Sequence, residues 1–224
     1  MVGTLELNRL IFLILTGLTA GPALGFNRAM IFLVDDEKRA LKGVLGVGPS
    51  TAEEAGEIWS RVSQKNVYLK DFLSEYEGLK DPTGMPMTVL TRELSCSLED
   101  HRHLLVQVMK SKKIWHTVKA TLDESINSAF FKVFQSVEFI TVPLIAGDEV
   151  LGVIVADNRF NWNPIEKKSR NMLSLFAHLA GIAIQNAYRH EKIRDQLKQT
   201  QRSSRLLGEA NQKLSKIQQY ATVG

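Results

Sequence analysis

Cys96, His101 and His103 lie close together in the chain, in a Cys-x4-His-x-His spacing. A thiolate and two imidazoles are the ligand types that suit a transition metal or the iron of a haem. Helical residues two positions apart point away from one another, so on a helix these two imidazoles cannot easily share one ion. The cluster therefore predicts structural roles, and no metal site is expected. Small-molecule pockets combine aromatic walls with a few polar groups. On that basis the candidate pocket liners are Tyr68, Trp115, Phe131 and Phe139, with Cys96, His101 and His103 as the polar set.

Other chemistry lacks a starting point. There is no Gly-rich phosphate loop, no nucleophile elbow and no His-Glu-x-x-His motif. The chain is expected not to be an enzyme, and no cofactor is identified. Basic residues Arg189, His190, Lys192, Arg194, Lys198, Arg202 and Arg205 are interspersed with Glu191, Asp195 and Glu209 and carry no aromatics between them. That pattern predicts a solvated helix face and no nucleic-acid partner. The net charge of +4 is too small to indicate otherwise. A hydrophobic fraction of 44% beside 23% charged residues excludes disorder and a multi-span membrane protein.

A single cysteine rules out an internal disulfide and fits a reducing compartment, so a cytoplasmic location is expected. The apolar run from Leu10 to Leu24 competes with this, having the length of a signal-peptide core, yet Gly21 and Pro22 break it and Glu6 and Asn8 precede it. An amphipathic helix at about residues 4–20 is the expectation, packed on the fold and on a second subunit.

The elements that would position these side chains follow in order. Residues 28–34 and 41–47 flank the turn-forming Asp35-Asp36-Glu37-Lys38-Arg39 and read as a hairpin. A helix over 51–64 should bury Ile58, Trp59 and Val62, and a short helix is expected within 67–76. A helix over 98–111 leads to a short strand near 114–116, then to a short helix within 121–135. Residues 138–146 and 150–157 form a second hairpin, rich in β-branched residues and expected at the sheet centre. Pro164 marks the first turn of a helix that nothing breaks thereafter. Some 55 helical residues extend roughly 80 Å. The first half, dense in Met172, Leu173, Leu175, Phe176, Leu179, Ile182, Ala183 and Ile184, is expected to pack on the sheet. The second half carries a heptad seam at Ile193, Leu197, Thr200, Ser204, Leu207, Asn211, Leu214, Gln218 and Ala221, with a competing register through Ala210 and Ile217. Its polar positions predict a weak coiled coil able to shift between registers.

The sequences LGFNRAMIFLV at 24–34, FITVPLIAGDEVLGVIVADN at 139–158 and LSLFAHLAGIAIQNA at 173–187, in this order of elements, resemble a GAF domain over about residues 5–190. The resemblance implies an α+β fold: a central antiparallel sheet of about six strands, helices forming dimer contacts on one face and a ligand pocket on the other. It implies a sensor domain at 1–188 and a coiled-coil linker at 189–224. Cyclic-nucleotide-binding members carry an Asn-Lys…Phe…Asp-Glu pattern; here the stretch runs Asp157-Asn158-Arg159…Trp162-Asn163-Pro164-Ile165-Glu166, without the Phe and the paired acids. Asp157 and Asn158 are instead expected to satisfy backbone groups at the strand end. The signatures that accompany covalent tetrapyrrole attachment are also missing around Cys96. The terminal QYATVG at 219–224 resembles the run preceding the phosphoacceptor motif of sensor histidine kinases. The combined expectation is a homodimeric sensor joined by its N- and C-terminal helices, Ile193, Leu197, Leu207, Asn211 and Leu214 among them, which binds an unidentified small molecule and drives a downstream kinase domain. The alternatives are the same domain on a transcription activator or cyclic-nucleotide enzyme, or a secreted binding domain cleaved near Leu24.

Overall fold

Strands whose residues alternate between two apolar faces must be covered on both, and this chain supplies two helical layers to do so. The computed structural model describes residues 5–19, 24–64, 84–120 and 128–222. Six strands form one antiparallel sheet: β1 (Arg28–Asp35), β2 (Ala40–Val47), β3 (Ser95–Ser97), β4 (Trp115–Val118), β5 (Glu138–Ala146) and β6 (Glu149–Asp157), in the order β3-β2-β1-β6-β5-β4. Both predicted hairpins are present, and β6 lies beside β1 at the centre.

One face of the sheet presents Met30, Phe32, Leu41, Phe139, Val153 and Val155 to α3 (Pro86–Arg92), α4 (Leu104–Ser111) and α5 (Ser128–Phe134). Here α3 comes very close to β2. A Cβ on Gly43 would stand 1.8 Å from the Thr91 carbonyl oxygen, and one on Gly46 would stand 2.3 Å from Thr91 Oγ1. Thr88 Oγ1 seals the contact by donating to the Gly46 carbonyl at 2.9 Å. Gly43→Ala should therefore lift α3 and cost about 3 kcal/mol, the upper end for overpacking, which thermal or urea denaturation would measure.

The opposite face carries α1 (Leu5–Thr19), which packs on β1 and β2. Its buried Leu7, Ile11, Leu15 and Leu18 recur at helical spacing. Beside it runs the first part of α6 (Lys167–Thr222), with Phe176 against Gly17 and with Gly181 so near β5 that a Cβ would meet the Ile145 carbonyl oxygen at 2.6 Å. Among the described residues, no helix is long and apolar enough to cross a membrane.

Several expectations require correction. A helix lying on a sheet touches it along one stripe, so Leu173, Ala177, Ala180 and Ile184 are buried while Leu175, Leu179 and Ile182 face outward, at 64%, 56% and 39% exposure. In α2 (Ala52–Gln64) the buried residue is Ala55; Ile58 is half-buried and Trp59 is exposed. The last helix begins at Lys167 rather than at Pro164, because residues 158–166 form a loop held by side chains. Asn27 Oδ1 accepts from the amides of Phe160 and Asn161, both at 2.9 Å, and Glu138 Oε1 accepts from the amide of Ile165 at 3.1 Å. Such side-chain acceptors compete with helical hydrogen bonding. The proposed helix within 67–76 lies outside the described residues.

The chain divides into two compact units, Met1–Gln185 and Asn186–Gly224. In the second unit Ile193, Leu197 and Leu207 are exposed apolar side chains and Asn211 is exposed. Leu214 is within the helix, and its side chain lies outside the described residues.

Candidate functional site

The helix expected over 98–111 starts only at Leu104, and this changes the geometry of its histidines. Ser97 and Asp100 capture the backbone first. Ser97 Oγ accepts from the Glu99 amide and Asp100 Oδ1 from the Arg102 amide, both at 3.2 Å, so residues 98–103 turn instead of coiling. His103 becomes the N-cap of α4, its Nδ1 accepting from the Leu105 amide at 3.3 Å. His101 is left on the exposed turn, 2.5 Å from Lys110 Nζ. The two imidazoles thus lie in different surroundings, His103 buried and His101 exposed, on a turn rather than on one helix. Among the described residues, no three His, Cys, Asp or Glu side chains are grouped so as to hold a metal ion.

Cys96 and His103 do converge. They line a pocket of about 50 Å³ with Phe32, Glu93, Leu94, Ser95, Leu105 and Phe130. β3 supplies Cys96, the end of the α3 segment supplies Leu94, and α5 supplies Phe130. Burial, reinforced by the negative charge of Asp100, pushes the Cys96 thiol up to about 12, so it carries no thiolate at neutral pH. Burial lowers the His103 pKa from the ordinary 6.5, and Asp100 opposes this only in part. A histidine held neutral when folded binds its proton more readily when unfolded. Stability should consequently fall as pH drops below about 6.5, and His103→Asn, which keeps a capping side chain, should flatten that slope. Denaturant titrations at a series of pH values would measure both.

Of the other predicted liners, Phe139 is fully buried in a ring cluster with Phe130 and Phe134, at centroid distances of 6.2 and 5.0 Å. It does not line the pocket but packs on Phe130, which does. Phe131 is half-buried at the edge of the same core. Trp115 sits on β4, the last strand of the sheet among the described residues, and is 38% exposed. Tyr68 lies outside the described residues. Sequence reasoning missed Phe32 and Phe130; the i, i+4 spacing of Phe130 and Phe134 was the available signal for the second.

It also missed the buried ion pair at the far end of the same face. Arg28 and Asp157, 1% and 0% exposed, meet across β1 and β6, with Arg28 Nε donating to Asp157 Oδ1 at 3.1 Å and Nη2 donating to Oδ2. The same Nη2 donates to the Phe134 carbonyl at 2.6 Å, and the guanidinium carbon stands 4.9 Å from the centre of the Phe134 ring. Asp157 Oδ1 accepts from the Arg159 amide and Asn158 Oδ1 from the Asn27 amide, both at 3.2 Å. The polar atoms of the stretch compared with a cyclic-nucleotide pattern are thus taken up inside the domain, by Arg28, the Asn27 and Arg159 amides, the Phe134 carbonyl and Gln135.

A family model described as GAF domain matches residues 13–184. No curated protein sequence matches the chain. Among solved structures, residues 122 to 287 of a methyl-accepting chemotaxis protein are similar at 17% identity and a TM-score of 0.55, over 81% of this chain and 90% of that one. A GAF domain/HD domain protein from Geobacter sulfurreducens is similar at 9% identity and a TM-score of 0.55, over 82% and 95%. The GAF-B domain of DevS from Mycobacterium smegmatis is similar at 14% identity and a TM-score of 0.50, over 84% and 97%. At these identities the likeness is one of fold.

Proposed function

The chain belongs to the GAF domain family, and from that premise we propose that it is the sensory domain of a two-component histidine kinase, acting as a cytoplasmic homodimer. It has no catalytic step of its own. A ligand or an upstream signal biases the dimer between two arrangements, and α6 passes the difference to a kinase domain beyond residue 224.

The observation that carries this is the set of exposed apolar side chains at heptad positions in the second unit: Ile193 at 61%, Leu197 at 57% and Leu207 at 65%. A lone helix in water has no core to stabilise it and gains nothing from displaying such residues. A second copy in register would cover them. Polar Thr200, Ser204 and Asn211 on the same seam keep the pairing weak enough to shift. In the first unit, Leu175, Leu179 and Ile182 offer a further apolar stripe on the face of α6 turned away from the sheet.

Leu207→Asp combined with Leu214→Asp should convert the dimer to a monomer in analytical ultracentrifugation, and ending the chain after Asn186 should act in the same direction. A double variant that keeps the dimer mass would show that the seam does not hold the subunits together. The kinase assignment rests on QYATVG at 219–224 and is decided by the gene downstream: a phosphoacceptor-histidine helix supports it, whereas a DNA-binding or cyclase domain supports the transcription or cyclic-nucleotide alternative. Against a secreted domain cleaved near Leu24 stands α1, whose Leu7, Ile11, Leu15 and Leu18 belong to the core. Mass spectrometry of the mature N-terminus tests it.

A further inference from the structure

On the face of the sheet that α6 covers, one histidine joins β4 to the first turn of that helix. His116 Nε2 lies 2.8 Å from Glu138 Oε1 on β5, and its Nδ1 lies 2.8 Å from Arg170 Nη1. A guanidinium can only donate, so Nδ1 accepts and the ring's own proton sits on Nε2, which donates it to Glu138. The same carboxylate oxygen accepts from the Ile165 amide at 3.1 Å and so fixes the end of the loop before α6. His116 is thus a neutral ring held between an anion and a cation, with a side chain 19% exposed and open to protons from solvent.

Resting on the sensory reading above, we propose that His116 is a proton-binding site of this domain, and that binding a proton there releases the first turn of α6 from the sheet. Protonation places a second N–H on Nδ1, facing Arg170. Two cationic donors cannot share a contact of 2.8 Å. The bond to Glu138 survives and gains charge assistance, so the ring stays with β5 and Arg170 is the group that leaves. Arg170 has a second partner within reach. Glu166 stands one helical turn earlier, its carbonyl accepting the Arg170 amide at 3.0 Å, and an acid four residues before a base is the favourable order for a helical ion pair. Arg170 is therefore shared between His116 when the ring is neutral and Glu166 when it is charged, and only the first arrangement ties α6 to β4. The remaining charged groups on these elements near the ring, Lys167 on α6 and Lys113 and Lys119 flanking β4, are exposed, as is Glu166. Solvent screens the three lysines, which leaves Glu138 and Arg170 to set the response.

Amide hydrogen exchange of the full chain at about pH 8 and about pH 5, the limits between which histidines change charge, reads the release. The amides of Asn171, Met172 and Leu173 have their helical acceptors in the first turn of α6. After correction for intrinsic exchange, their protection should fall about tenfold on acidification relative to that of buried Val142 and Ile154 in the sheet, as expected for one lost hydrogen bond to a charged group. His116→Gln keeps a donor and an acceptor but does not titrate, and should hold the same protection at both pH values. Arg170→Met should show the lower protection already at the higher pH, and it provides the test should His116→Gln fail to fold. His101, His103, His178 and His190 all remain in His116→Gln, so a pH response that persists in that variant belongs to them and overturns the inference. Protection in the unaltered chain that does not change with pH overturns it too, as does an Arg170→Met variant as protected as the unaltered chain at the higher pH. The dimer mass and the downstream gene decide the sensory reading separately, so failure of the exchange result and failure of that reading are told apart.

Discussion

An Arg28→Ala variant is expected to lose about 3–5 kcal/mol of folding stability, because it leaves the Asp157 carboxylate charged and uncompensated at 0% exposure. Against the roughly 5–15 kcal/mol that holds an ordinary domain together, this removes much of the margin. Three effects act together. The carboxylate loses both guanidinium hydrogen bonds, the Phe134 carbonyl loses its Nη2 donor, and the Phe134 ring loses the cation at 4.9 Å. Since Phe134 is the last residue of α5, the damage should appear first as faster amide exchange in that helix. Arg28→Met with Asp157→Leu replaces the pair by apolar groups of similar size and should cost much less than either single change. Urea denaturation of the two single variants and the double variant gives the comparison. A single Arg28→Ala loss under about 1 kcal/mol would mean that water reaches Asp157.

The second large effect belongs to Phe130. Its ring lies 6.0 Å from Phe32, 5.4 Å from Phe134, 6.2 Å from Phe139 and 6.2 Å from His103, and is 4% exposed. It is at once the hub of the aromatic cluster and a wall of the pocket. Phe130→Ala should cost about 3–5 kcal/mol, the usual range for deleting a buried aromatic ring whose neighbours cannot collapse into the space. Phe130→Leu, which retains most of the volume, should cost less than half as much. Denaturation midpoints of the two variants measure the difference. Equal losses would show that ring-to-ring packing, rather than filled volume, holds α5 against the sheet.

Much of this was legible in the residues, for identifiable reasons. Residues 28–34, 138–146 and 150–157 are short apolar runs rich in β-branched side chains and joined by turn formers, a pattern that burial on both faces of a sheet explains and little else does. An amphipathic helix was expected at about residues 4–20, and Leu7, Ile11, Leu15 and Leu18 form its buried stripe. Errors clustered where local and tertiary preferences compete. Ser97 and Asp100 deflected residues 98–103 from helix by binding the backbone, and Asn27, distant in sequence, did the same to residues 158–166. A candidate site chosen by side-chain chemistry retained Cys96 and His103 and left Trp115 exposed on β4.

By itself, the sequence determined the two hairpins, the helix at each end and the polar heptad seam, written in periods of 2, 3.6 and 3.5 residues, while the α+β class came from the resemblance of their order to a GAF domain. Which face of α6 meets the sheet was not written there, because Leu173 and Leu175 are equally apolar and only the position of β5 against Gly181 distinguishes them. Nor was the pairing of Arg28 with Asp157, which are 129 positions apart and meet only when β1 lies beside β6. The third decision was the state of His103. Its proton sits on Nε2 because a helix begins one residue later and takes the other nitrogen as its cap.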